Sequence, residues 1–172
     1  MHIEVQRLTR MALLLAIVIV LGLIPAIPIG IIPVPLTVQN IGILLIGLLL
    51  SPFEAFLTTG VFLLLALIGL PILTGLRGGM AVFIGPTGGY LLGYWIGAVL
   101  LAWWSKKHRH EWFLLFAKIA IVAVLIIDLF GSMGFAVNMN IPLIRAVALN
   151  SLLIPGDILK AILVATIAYK LK

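Results

Sequence analysis

From Met11 to Phe53 the chain carries no aspartate, glutamate, lysine or arginine. A membrane-spanning helix needs about 20 mainly apolar residues, so this stretch is too long for one span and too short for three. Pro25, Pro28, Pro33 and Pro35 fall near its middle. Proline removes a backbone donor and disfavours helix in the residue before it. The stretch therefore reads as two spans, near 7–25 and 37–50, joined by an irregular segment near 26–36. The composition of the whole 172-residue chain agrees, with 64% of residues hydrophobic and only 9% charged. An average soluble domain carries about 25% charged residues. A soluble fold of this composition could not cover its surface with polar groups, so the chain is read as an integral membrane protein.

The remaining sequence extends the pattern. "SPFE" at 51–54 is a tight turn, and further spans are predicted near 54–70, 86–104, 112–135 and 157–171. The expected fold is all-α, a single transmembrane unit over 1–172 with six spans and no room for a soluble domain. The first apolar run is read as a retained span, because no convincing small-residue cleavage site follows it. Between spans five and six, "AVNMNIPLIRAVALNSLLIPGD" reads as a mixed segment returning the chain to the membrane.

The formal net charge is +6, but the basic residues lie mostly at the ends of apolar runs, where they orient a membrane protein rather than bind nucleic acid. With six spans, one side holds Arg7, Arg10, Lys106, Lys107, Arg109, Lys170 and Lys172, with Lys118 able to snorkel to it. The other holds Arg77, Arg145 and Lys160. Lysine and arginine concentrate on the cytoplasmic side, which places both termini inside the cell membrane. Trp103, Trp104 and Trp112 flank the 105–111 loop as interfacial aromatics would. The proline-rich 26–36 segment, the glycine-rich stretch from Gly75 to Gly93 and the approach to "PGD" then all face outward. Irregular backbone at membrane depth must be buried in protein or line a cavity, so an outward-facing pocket is expected.

Few residues can carry chemistry there. Asp157 and Lys160 in "PGDILK" stand three apart at a helix start and share a face. Asp157 alone reads equally as a helix cap, and Lys160 as an interfacial lysine or the partner of Asp157. A cation in a first helical turn opposes the helix dipole, which favours a ligand-reading pair. Arg77 reads as a headgroup anchor or as an anionic contact in a glycine-rich loop whose backbone can approach a ligand closely. The amides of "TVQN", Gln39 and Asn40, read equally as interhelical glue and as ligand contacts. Asp128 lies deep in span five, where an acid is costly, and suggests pairing within the bundle or a proton relay. Ala12 and Ala16 in "ALLLA" share one face of span one and permit close helix approach. The chain has no cysteine, no HExxH and no GxxxxGK[ST], and its histidines, His2, His108 and His110, lie in polar segments far from the outer pocket. No metal site, cofactor, intramembrane enzyme or self-powered ATP-driven transport is expected.

The order "PVPLTVQN", "GLPILTGLRGG", "GPTGGYLLGY" and "PGDILKA", from about Pro33 to Ala161, resembles the BioY family. BioY proteins are the biotin-specific substrate-binding subunits, or S components, of energy-coupling factor transporters. The resemblance lapses between about 128 and 154. It implies high-affinity capture of biotin from outside. It also implies partnership with a coupling membrane subunit, the T component, and with two ATP-binding cassette ATPases. It makes Asp157, Lys160, Arg77, Tyr90, Gln39, Asn40 and Thr87 ligand-binding candidates, and matches Ala12 and Ala16 to the AxxxA motif that packs on the T component. An S component for another vitamin, or a membrane scaffold without a small ligand, remain as alternatives at this stage.

Overall fold

A computed structural model describes residues 2–30, 34–105 and 111–170, without the side chains of residues 2 and 3. Pro33, Lys106, Lys107, His108, Arg109, His110 and Lys172, all invoked above, lie outside the described residues, as does the side chain of His2. Every regular element among the described residues is helical. In chain order these are α1 (His2–Gly22), α2 (Asn40–Leu49), α3 (Pro52–Leu67), the short α4 (Met80–Ile84) and α5 (Gly88–Ser105). α6 (Trp112–Ile121) runs through a π-helical stretch, Val122–Ile127, straight into α7 (Asp128–Met139). α8 (Leu143–Asn150) runs through a 3₁₀ turn, Ser151–Leu153, into α9 (Ile154–Lys170).

The stretches predicted as spans are largely helical, with differences that have local causes. Three helical runs, Glu4–Gly22, Trp112–Met139 and Leu143–Lys170, are long and apolar enough to cross a membrane. Such helices, in a chain of this composition, make it a membrane protein. α2 has only 10 residues, about 15 Å at the α-helical rise. It is buried on all sides, with Ile43, Leu44 and Ile46 wholly enclosed, as a central helix should be. "SPFE" starts α3 rather than merely turning the chain. Ser51 Oγ accepts from the Glu54 amide at 3.4 Å, and Glu54 Oε2 accepts from the Ser51 amide at 2.9 Å. This reciprocal cap, with Pro52 at the first helical position, fixes the helix start.

The mixed segment before span six is largely helical. Pro142 is the N-cap of α8 and Pro155 enters in the first turn of α9, so neither breaks a helix interior. Asn140 takes the left-handed conformation (φ 51°) that ends α7, a position asparagine tolerates.

Three contacts gather one end of the bundle. Arg7 Nε lies 3.7 Å from Glu54 Oε1, Lys118 Nζ donates to the Trp104 carbonyl at 3.0 Å, and Trp112 Nε1 donates to Thr166 Oγ1 at 3.2 Å. The segments 23–30, 34–39, 68–87 and 140–153 lie at the opposite end. There Ile27 and Leu36 exchange two backbone hydrogen bonds of 2.9 Å, closing the proline-rich loop, and Leu73 and Arg77 close a small hairpin in the same way.

Candidate functional site

The glycine-rich stretch divides into two uses. Gly75 and Leu76 both have positive φ, 80° and 56°, as the centre of a tight hairpin turn demands. This turn presents Thr74 and Arg77 at the open end of the bundle. Gly89 and Gly93 instead let α5 sit against α7 and its π-helical lead-in. A Cβ on Gly93 would stand 3.0 Å from the Ile127 backbone, and one on Gly134 would stand 2.6 Å from the Gly89 amide nitrogen. On the facing helix, Gly131 leaves room for the Tyr90 ring, which a Cβ there would overlap. Close approach, more than loop freedom, thus explains the glycines of α5.

Between these elements lies a cavity that opens at one end of the bundle, with about 610 Å³ of empty space when the open solvent at its mouth is included. Its walls come from the 34–40 segment, the Leu73–Arg77 hairpin, α5, the junction of the π-helical stretch with α7, and the start of α9. All seven predicted ligand residues line it: Gln39, Asn40, Arg77, Thr87, Tyr90, Asp157 and Lys160.

Asp157 and Lys160 form an ion pair of 2.5 Å, with only 3% and 8% of the residues exposed. Asp157 Oδ1 also accepts from Asn40 Nδ2 at 3.2 Å, and Lys160 Nζ donates to the Thr37 carbonyl at 3.1 Å. The carboxylate is therefore engaged by side chains from two helices, which is the pairing reading of Asp157. Buried ion pairs are costly to desolvate, so this one contributes little net stability.

Among the described residues, three buried polar atoms on the cavity wall have no hydrogen-bond partner: Asn40 Oδ1, Tyr90 OH and Asp128 Oδ2. Native interiors leave few such groups unsatisfied. Arg77 is exposed at the hairpin, where its Nε donates to the Thr74 carbonyl at 3.0 Å. Gln39 differs from the rest, since its amide bonds entirely to protein: Val18, Ile72 and Thr74.

The cavity also includes residues that sequence reasoning did not place there. Asp128, immediately after the π-helical stretch, lines it. π-helical turns cluster at functional sites, but they leave no mark in hydropathy. Tyr94 lies one turn after Tyr90, and its hydroxyl is 3.3 Å from Thr37 Oγ1. The GYLLGY spacing carried that signal. Outside the cavity, Ala12 and Ala16 are exposed on α1, so an ordinary contact within the chain does not account for them. Among the described residues, no group of His, Cys, Asp and Glu could hold a metal ion.

A helical membrane bundle with a cavity whose wall carries a buried ion pair and unsatisfied polar atoms is the architecture of a substrate-binding membrane protein. The BioY family model matches residues 1–172. The biotin transporter BioY of Lactococcus lactis subsp. cremoris is 40% identical over 98% of this chain and 92% of its own. The probable biotin transporter BioY of Bacillus subtilis is 36% identical, over 94% and 88%. A crystal structure of the S-component for biotin from an ECF-type ABC transporter superposes with a TM-score of 0.94 at 40% identity, covering 99% of this chain and 92% of that one. The chain belongs to the BioY family.

Proposed function

We propose that this chain captures biotin at the outer face of the cell membrane as the substrate-binding subunit of an energy-coupling factor transporter. It is not an enzyme and uses no cofactor; biotin is its cargo. The observation that carries the reading is the convergence of the buried Asp157–Lys160 pair with three unsatisfied polar atoms on one cavity wall. Biotin presents two ureido N–H donors and a carbonyl acceptor on an apolar bicycle, with a carboxylate at the end of an apolar chain. Asn40 Oδ1, Asp128 Oδ2 and Asp157 suit the donors, and Tyr90 OH and Lys160 suit the carbonyl. Leu73, Leu91, Ile127 and Leu153 supply the apolar walls. Arg77, with Thr87 near it in the chain, meets the carboxylate at the mouth.

The whole chain acts as one transmembrane domain that crosses six times with both termini in the cytoplasm. The eight-to-three distribution of lysine and arginine supports that orientation, since it follows the cytoplasmic excess of basic residues. The chain has no nucleotide-binding loop, so energy comes from a T component and two ATPases. The exposed Ala12 and Ala16 give the T component a face for close helix packing.

The test is calorimetric titration of biotin into purified protein stripped of co-purified ligand, with Asp157→Asn and Lys160→Ala in parallel. Tight one-to-one binding, weakened in both variants, is expected. Saturable binding of another vitamin that biotin does not displace would reassign the cargo. No saturable binding of any vitamin by folded protein would leave a scaffold.

A further inference from the structure

The side-chain amide of Gln39 spends its whole hydrogen-bonding capacity on two separate parts of the chain, α1 and the 72–74 segment. Nε2 donates to the Val18 carbonyl of α1 at 3.1 Å and to the Ile72 carbonyl at 2.7 Å. Oε1 accepts from the backbone amide and the hydroxyl of Thr74, each at 3.1 Å. Two donors and two lone pairs are all that an amide offers. Gln39 is 2% exposed, and the fit around it is close. A Cβ on Gly22, in the last turn of α1, would overlap both Gln39 Nε2 and the Ile72 carbonyl oxygen.

What Gln39 holds is the hairpin at the cavity mouth. Thr74 begins its turn, and the Thr74 carbonyl accepts from Arg77 Nε at 3.0 Å. The turn also forces Leu76 to φ 56°. Left-handed backbone is unfavourable for a residue with a side chain such as leucine, and persists only where the surroundings impose it. The hairpin's own two backbone bonds, at 3.0 and 3.2 Å between Leu73 and Arg77, are a small restraint for a strained loop. The Gln39 amide adds two bonds at Thr74 and one at Ile72, all anchored in a buried residue that also grips α1.

We propose that Gln39 is a positioning residue that locks the Leu73–Arg77 hairpin to the last turns of α1, holding Arg77 over the cavity so that hairpin and α1 loosen together. Arg77's action on the ligand rests on the biotin reading above, but the lock does not.

The test compares full-length wild type with Gln39→Leu, which removes all four bonds, and Thr74→Val, which removes only the hydroxyl bond. Two readouts are taken in detergent: amide hydrogen exchange without ligand, and dissociation of labelled biotin chased with excess unlabelled biotin. In Gln39→Leu, exchange is expected to accelerate in residues 73–79 and in residues 18–22 together, with α5 and α7 unchanged. Biotin is expected to leave roughly tenfold faster, the factor that one or two net hydrogen bonds supply. Thr74→Val is expected to shift both readouts in the same direction by less, and it carries the test if Gln39→Leu does not fold. Exchange that accelerates evenly through all helices would reduce Gln39 to a fold-stabilising residue and overturn the lock. So would a loosened hairpin with an unchanged α1. Wild type that retains no biotin would overturn the biotin reading, and the ligand-free exchange comparison would still decide the lock.

Discussion

The Asp157–Lys160 pair joins α9 to the 37–40 segment through four groups: the two charges, the Asn40 amide and the Thr37 carbonyl. Removing one partner of such a pair leaves an uncompensated buried charge, at a cost of about 3–5 kcal/mol, whereas replacing both with apolar groups is often neutral. Lys160→Ala is therefore expected to lower the unfolding midpoint of the ligand-free protein. Asp157→Leu combined with Lys160→Met is expected to restore it without restoring biotin binding. Thermal unfolding beside calorimetry separates these outcomes, and a double variant that binds would remove the pair from the site. The pair was legible in the sequence because three-residue spacing on a helix fixes a shared face. The different employment of the adjacent amides in Gln39 and Asn40 was not. Asn40 leaves Oδ1 free at the cavity while Gln39 is spent on three backbone groups and the Thr74 hydroxyl. That distinction depends on where Val18, Ile72 and Thr74 come to rest, and nothing local to "TVQN" encodes it.

Among the elements, hydropathy and charge-free length made the long helices legible, and the capping box made the start of α3 legible. α8 was hidden by its punctuation. Asn140, Pro142 and Pro155 fall within the segment read as mixed, yet each occupies a helix-terminal position where it is tolerated. The π-helical stretch was hidden because its residues, Val122–Ile127, are as apolar as the helix around them. α5 and α7 meet along Gly89, Gly93, Gly131 and Gly134, so their spacing is set by absent side chains. A methyl at Gly134 would strike the backbone nitrogen of Gly89 at 2.6 Å and its Cα at 2.8 Å, atoms that cannot rotate away. Gly134→Ala is expected to destabilise the protein by about 1–3 kcal/mol, the usual cost of overpacking. Gly60→Ala, whose nearest neighbour would be Trp95 at 3.5 Å, is expected to be tolerated. A matched pair of thermal denaturation curves checks both. Equal midpoints would mean that the α5–α7 seam yields freely.

At the scale of the whole molecule, the proposed orientation has a direct readout. The chain contains no cysteine, so single cysteines report without background. Met139→Cys at the end of α7 is expected to react with a membrane-impermeant thiol reagent in intact cells. Glu111→Cys, just before α6, is expected to react only after permeabilisation. Labelling in the reverse order would invert the topology and put the cavity mouth inside. This orientation rests on the charge pattern alone. The convergence of 34–40, 73–77, α5, α7 and α9 on one cavity had no counterpart in the linear pattern beyond the placing of irregular segments on one side.

The depth of the cavity floor has a consequence for delivery. Asp157 lies 13 residues from Lys170, the last residue of α9, about 20 Å along the helix. That interval is filled with wholly enclosed side chains, among them Leu101, Ile119 and Val164. On the biotin reading, cargo held at Asp157 enters by the doorway at the cavity mouth and has packed side chains behind it. No rotamer change can thread a two-ring molecule through such packing. Discharge to the far side must either part the helices or carry the doorway itself across the bilayer.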